Sequence, residues 1–151
     1  MALIQLVKIM EDGSVDGKLP ADELTLDVCQ ATSEIYKANG YEEPWLSYLA
    51  MVDGNCVGTC GFRAPPEFGR IEISCHTFPE FEGRGVGTAM AKALVEIAMR
   101  QNHNIEIAAY TAPQMGASTR VLEKLGFRFV GLVGHQEEGE VWEWVYTRSY
   151  H

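Results

Sequence analysis

Lysine and arginine are scarce in this chain. There are 12 of them against 21 aspartates and glutamates, a formal net charge of −9 over 151 residues. That balance argues against nucleic acid as the main partner, because phosphate contacts need clustered cations. The acidity suits a cationic substrate such as an amine. It serves equally to keep a cytoplasmic protein in solution. No apolar run approaches the length of a membrane span, so no membrane partner is expected. Cysteines number four. Cys29, Cys56, Cys60 and Cys75 show no zinc-knuckle spacing and no histidine pair completes a site, so reduced, mostly buried thiols and no metal are expected. The first residues lack the layout of a signal peptide: Lys8 follows the apolar residues instead of preceding them, and there is no cleavage site. A first strand of a cytoplasmic protein is expected there. No repeat, low-complexity tract or linker interrupts the chain. With 46% apolar and 22% charged residues, a single domain over residues 1–151 is expected, long enough for a substantial core.

What is present is an alternation of strand and helix patterns. Residues 4–9 read as a short strand, followed by a loop through Pro20. A helix is expected over 21–39, with Asp22 as N-cap and Asn39-Gly40 as its stop. Its apolar stripe is Leu24, Val28, Ala31 and Ile35. Residues 45–52 and 56–62 read as strands around an Asp53-Gly54-Asn55 hairpin turn, and 70–78 as a third strand closed by Pro79. The helix over 85–100 has a clear stripe of Val86, Ala89, Met90, Ala93, Leu94 and Ile97. A strand over 105–111, a short helix over 117–125 and a final strand pair over 129–133 and 141–146 complete the chain. This order predicts a mixed α/β layer fold on one sheet, mostly antiparallel, with a right-handed parallel crossover around the second helix. An exposed edge strand leaves monomer and homodimer both open.

The densest signal is the run Phe78-Pro79-Glu80-Phe81-Glu82-Gly83-Arg84-Gly85-Val86-Gly87-Thr88 between a strand and that second helix. Glycines at a helix start let backbone N–H groups approach an anion, and the helix dipole points the same way. A Walker loop is excluded, because no lysine follows the glycines until Lys92. A dinucleotide G-x-G-x-x-G is excluded too: Gly83-x-Gly85 leads to Thr88 and Gly85-x-Gly87 leads to Met90.

The segment Glu82-Gly83-Arg84-Gly85-Val86-Gly87 resembles the acyl-CoA pyrophosphate loop of the GNAT acetyltransferase superfamily, [Q/R]-x-x-G-x-[G/A], with Glu82 departing from Gln or Arg. The run 117–127, ending Lys124-Leu125-Gly126-Phe127, looks like the family's later helix, and Trp142-Glu143-Trp144 is a third similarity. With Ser118 and that ending, the chain most resembles the branch that includes ribosomal-protein-alanine N-acetyltransferases. The resemblance covers residues 45–146.

It implies the GNAT fold and direct transfer of an acetyl group from acetyl-CoA, as co-substrate, to a primary amine, either a peptide N-terminus or a small molecule. It implies donor-binding roles for the loop residues Glu82, Gly83, Arg84, Gly85, Val86, Gly87 and Thr88, and a carbonyl donor in the Phe78 N–H. The chemistry needs a base for the amine proton, a hydrogen-bond donor for the thioester oxygen and a proton for the leaving thiolate. The strand over 70–78 alternates, so Glu72, Ser74 and His76 share one face. Glu72 and His76 are the candidate bases. Leu122 stands where many relatives carry a tyrosine acid, and Ser118 is the candidate replacement, unless it is only a helix N-cap. Trp45, Tyr48, Tyr110, Trp142 and Trp144 are candidates to wall an acceptor pocket, although core packing accounts for each. His135, near a turn, reads as a surface residue. Two rivals remain: a non-catalytic relative that senses or scaffolds acyl-CoA, and a different nucleotide-binding α/β domain.

Overall fold

Asp53 and Gly54, at φ 49° and 81°, make the tight reversal that their sequence predicts, and the strands on either side pair antiparallel. The computed structural model describes residues 3–17 and 22–148. In chain order its elements are β1 (Gln5–Lys8), α1 (Glu23–Asn39), β2 (Ser47–Val52), β3 (Asn55–Phe62), β4 (Arg70–Thr77), a 3-10 turn at Pro79–Phe81, α2 (Val86–Gln101), β5 (Glu106–Thr111), α3 (Ala117–Leu125), β6 (Arg128–His135) and β7 (Gly139–Tyr146). The expected order is reproduced, and the ends of most elements move by one or two residues. The expected helix start at Ala21 and the loop residue Pro20 lie outside the described residues, as do Met1 and Ala2 of the N-terminal segment.

The strands form one sheet in the order β1-β2-β3-β4-β5-β7-β6. Every neighbouring pair is antiparallel except β4 and β5, which run parallel and are joined through α2. This is the mixed α/β fold that the sequence predicts. Among the described residues no helix is long and apolar enough to cross a membrane. Nor does any group of three or more His, Cys, Asp or Glu there have an arrangement that could hold a metal ion. Cys29, Cys56 and Cys60 are buried, Cys75 is exposed, and all four thiols are free.

The two long helices use their apolar residues differently. In α2 half of the expected stripe is buried: Val86, Met90 and Leu94 enter the core with Ala91 and Ala98 from outside it, while Ala89, Ala93 and Ile97 are half-buried. It packs so closely on β3 that a Cβ at Gly58 would lie 3.3 Å from the Met90 sulfur. In α1 the expected stripe is wrong by one position around the helix. The buried residues are Thr25, Cys29, Thr32 and Tyr36, whereas Leu24 and Ile35 remain 45% and 49% exposed. Polar anchors set that rotation. The Tyr36 hydroxyl donates to the Ile9 carbonyl at 2.7 Å and accepts the Ser47 N–H at 2.9 Å. Asp22 caps the helix by accepting the Thr25 N–H at 2.9 Å. Tyrosine brings a large apolar body to the interface together with a hydroxyl that must be paired, so it overrides a row of smaller apolar side chains.

Candidate functional site

The parallel pair β4–β5 is short. Arg70, Ile71 and Glu72 pair with Glu106, Ile107 and Ala108, and beyond them the strands part. A cleft of about 710 Å³ occupies the fork. Its lining includes Ile73, Cys75 and Thr77 from one face of β4 and Ser74 and His76 from the other. Successive side chains on a strand alternate faces, so the cleft passes through the sheet.

The backbone at the fork has a definite polarity. Arg63 N–H donates to Glu72 O at 3.0 Å and Phe78 N–H donates to Val57 O at 2.9 Å. Even-numbered residues of this run therefore point their backbone groups at β3, and Ile73, Cys75 and Thr77 point theirs into the fork. This corrects the expectation for Phe78. Its N–H is already bonded and its ring is 3% exposed in the core; the donors in register with the cleft belong to Cys75 and Thr77.

One mouth of the cleft is the glycine loop. Gly83 and Gly85 have φ of 76° and 81°, a left-handed backbone that favours glycine. Gly85 is the N-cap of α2. The first intrahelical bond is Ala89 N–H to Gly85 O at 3.1 Å, so the amides of Val86, Gly87 and Thr88 have no acceptor within the helix. Gly83, Gly85, Val86, Gly87 and Thr88 all line the cleft. A Cβ at Gly87 would sit 3.7 Å from Thr77 Oγ1 and 3.9 Å from Val121 Cγ2, so glycine there keeps open the space between β4 and α3. Free amides, a dipole end and a cradle that a side chain would narrow suit an anionic group such as a pyrophosphate. Two expected members of the loop do not fit that task. Arg84 is absent from the lining; its guanidinium lies over the Phe81 ring, 5.5 Å from the centroid. Glu82 lines the mouth, but its N–H donates to Pro79 O at 3.3 Å and its carboxylate would repel an anion.

Ser118 lies in the first turn of α3, exposed, and lines the same cleft. It is not the helix N-cap. That place belongs to Gly116, whose N–H donates to Thr119 Oγ1 at 2.9 Å. Leu122 is buried one turn further on and contributes apolar wall.

A neighbouring cleft, which shares Tyr110 with this one, carries a network of side chains around the expected Glu72 and Tyr110. Tyr110 of β5 lines both the large cleft and a second one of about 340 Å³, which Arg63, Arg70 and Glu72 also line. Arg70 pairs with Glu106 and Glu143 and donates to the Tyr110 hydroxyl at 3.2 Å. The Tyr110 hydroxyl donates to Glu143 at 3.0 Å. Glu72 Oε2 stands 3.2 Å from His135 Nε2, and its Oε1 is 4.0 Å from Arg63 Nε. Burial pushes the Glu72 carboxyl above its ordinary value, and the His135 hydrogen bond and the Arg63 charge only partly offset this.

Glu72 and His76 are not brought together. Four strand residues separate them by about 13 Å. His76 is exposed, lines the large cleft and meets the Phe78 ring edge-on at 6.0 Å. His135 is the opposite of its expectation, with a side chain only 10% exposed. Finding it from sequence would have required knowing that the β6–β7 turn comes down beside Glu72, across strands that are not its neighbours. Of the five aromatics proposed as pocket wall, only Tyr110 lines a cleft. Trp45, Tyr48 and Trp144 are core residues, and Trp144 donates to Thr111 Oγ1 at 3.1 Å. Trp142 packs edge-on against Phe129.

Comparison with known proteins places this geometry. N-acetylaspartate synthetase of Rattus norvegicus is 32% identical over 89 residues, which is 58% of this chain and 29% of that protein. The Homo sapiens counterpart is 30% identical over the same shares. The chain thus covers less than a third of the length of these curated relatives. Among solved structures, aminoglycoside acetyltransferase AAC(6')-Ib in complex with coenzyme A and kanamycin aligns with a TM-score of 0.65 at 22% identity, over 83% of this chain and 78% of that one. RimJ of Mycobacterium smegmatis in complex with CoA-disulfide aligns with a TM-score of 0.63 at 21% identity, over 82% and 60%. These likenesses carry the fold. A family model described as an acetyltransferase (GNAT) domain matches residues 5–128, most of the chain, and the protein therefore belongs to the GNAT acetyltransferase family.

Proposed function

We propose that the protein is an acetyl-CoA-dependent N-acetyltransferase that acts on a primary amine by direct transfer. The observation that carries this reading is the cleft between β4 and β5, with free helix amides on its lining and, in the adjoining cleft that shares Tyr110, the Glu72 carboxylate. The solved AAC(6')-Ib and RimJ structures hold coenzyme A or its disulfide, which supports the same donor here. When bound, acetyl-CoA supplies an activated thioester. The amides of Val86, Gly87 and Thr88 hold the pyrophosphate. The Cys75 and Thr77 N–H groups donate to the thioester oxygen as charge develops there. Glu72 accepts the ammonium proton, directly or through one water, and its raised value suits that task. The amine nitrogen bonds to the carbonyl carbon as the C–S bond breaks, and its second proton passes through the Ser118 hydroxyl to the leaving sulfur, so that a neutral amide and a neutral thiol result. His76, on the same face, is the second base. The chain works as one domain, as a monomer or homodimer, in the cytoplasm.

The names of relatives set two acceptors to try, L-aspartate and kanamycin, and the resemblance to the ribosomal-protein-alanine branch adds a third, a peptide beginning with alanine. Calorimetry with acetyl-CoA, followed by CoA release in the presence of each, tests the reading. Saturable binding and release with one of the three support it. Stabilisation by NAD or ATP with none by CoA sinks it. The apolar Leu122 in the position of the family's tyrosine acid favours one second reading, a non-catalytic acyl-CoA sensor, which tight binding without turnover on any amine would support.

A further inference from the structure

We infer that His135 is a positioning residue, fixed by the β6–β7 turn as the Nε2–H tautomer, which aims the Glu72 carboxylate at the acceptor amine. This rests on the reading of Glu72 as the base. The argument begins with the Nδ1 side of the ring. His135 Nδ1 accepts the backbone N–H of Glu137 at 3.1 Å and of Glu138 at 3.3 Å. A ring nitrogen that accepts carries no hydrogen, so the imidazole proton sits on Nε2. Nε2–H then donates to Glu72 Oε2, 3.2 Å away. The same two turn amides occupy the lone pair that His135 would need to act as a base.

The ring has little freedom to leave. It meets Tyr110 edge-on, with centroids 5.0 Å apart at 65°, and only 10% of the side chain is exposed. Around Glu72 stand Arg63 from the end of β3, Arg70 on the same face of β4, Glu106 and Tyr110 from β5, His135 from β6, Glu137 from the turn, and Glu67 on the rim of the same cleft. Arg63 Nε donates to Glu137 at 2.8 Å and stays 4.0 Å from Glu72 Oε1, beyond hydrogen-bond reach. Among the described residues Glu72 is thus hydrogen-bonded through one oxygen, and the other, ion-paired with Arg63 at 4.0 Å, keeps its hydrogen-bonding capacity for the amine. A histidine that merely straps β6 to β4 would need no particular tautomer and no free partner oxygen.

The test begins without an acceptor. Nitrogen-15 spectra of the labelled full chain at pH 7.5 should show His135 protonated on Nε2 and bare on Nδ1. The reverse tautomer overturns the proposal. The carbon-13 titration of the Glu72 carboxyl should then move to higher pH in His135→Ala, because a donor to the charged form has gone, and should return toward wild type in His135→Gln, whose amide still donates. An unmoved midpoint in His135→Ala overturns it. Kinetics with acetyl-CoA and whichever of L-aspartate, kanamycin or the alanine peptide turns over should show kcat falling about tenfold or more in His135→Ala. The amine KM should stay within about twofold, with most of kcat restored in His135→Gln. Equal losses in both variants, or an unchanged kcat in His135→Ala, overturn the positioning role. If no amine turns over, the enzyme reading fails by itself, while the tautomer and the Glu72 midpoint still decide the contact. If His135→Ala does not fold, the wild-type tautomer and the His135→Gln comparison decide it.

Discussion

The two mouths of the fork are built from different materials. The loop mouth is backbone: amides of consecutive residues at one helix start, placed by local geometry. The opposite mouth is side chain: Arg63, Arg70, Glu72, Tyr110, His135 and Glu143, drawn from β3 or its end and from β4, β5, β6 and β7. A backbone cradle tolerates changes of side chain that leave its dihedrals alone and fails when they are forced. A side-chain network fails residue by residue and depends on strand order.

The sharpest break should come from Glu72→Gln. It removes the proposed base, so kcat should fall about 10²- to 10⁴-fold, while acetyl-CoA affinity stays within about twofold because the loop amides are untouched. Wild-type rate should rise with pH through the Glu72 ionisation, which burial raises above its ordinary value, and the variant should lose that limb. The same shift affects stability. The folded protein holds this proton more tightly than the unfolded chain does. The stabilising contribution is therefore present at low pH and lost as pH rises through the folded value. Glu72→Gln should accordingly melt higher than wild type at pH 8, and a lower melting temperature would contradict the burial argument.

Gly85→Val attacks the other mouth. It places a β-branched residue at φ 81°, and acetyl-CoA affinity should drop roughly 100-fold by calorimetry as the cradle shifts. Far-UV circular dichroism should stay native. Retained affinity would remove the loop from the site. Gly87→Ala should separate fold from function more finely. The position is helical and a Cβ meets only ordinary contacts, so stability should rise by about 0.5–1 kcal/mol while affinity weakens several-fold. A variant both more stable and equally tight would show that the glycine keeps no space open. The smallest change should be His76→Ala, with kcat within about threefold. A drop matching that of Glu72→Gln would transfer the base to His76.

The loop mouth was legible in the sequence and the other mouth largely was not, for physical reasons. Gly83, Gly85 and Gly87 act through neighbours within a few residues, so their pattern and their task share one stretch of chain. His135 meets Glu72 across 63 positions, a contact between strands that are not neighbours in the sheet. The same division runs through the helices. The α2 stripe was readable because nothing competes with it. The α1 stripe was not, because the hydroxyl of Tyr36 reaches Ile9 and Ser47 and turns Leu24 and Ile35 outward. Phe78 was misassigned by one residue of strand register, which reverses the direction of every backbone donor.

Three residue pairs hold β4 to β5, and past them the two strands part around the cleft. Each bank of that gap presents a rim of backbone groups, so an extended chain of amides can lie there as a strand does. Filling the lane would knit β1–β4 to β5–β7 along their whole length, whereas the empty lane leaves the parallel junction to three pairs. The guest would then be part of the architecture, and melting temperature should report its arrival as directly as any assay of turnover.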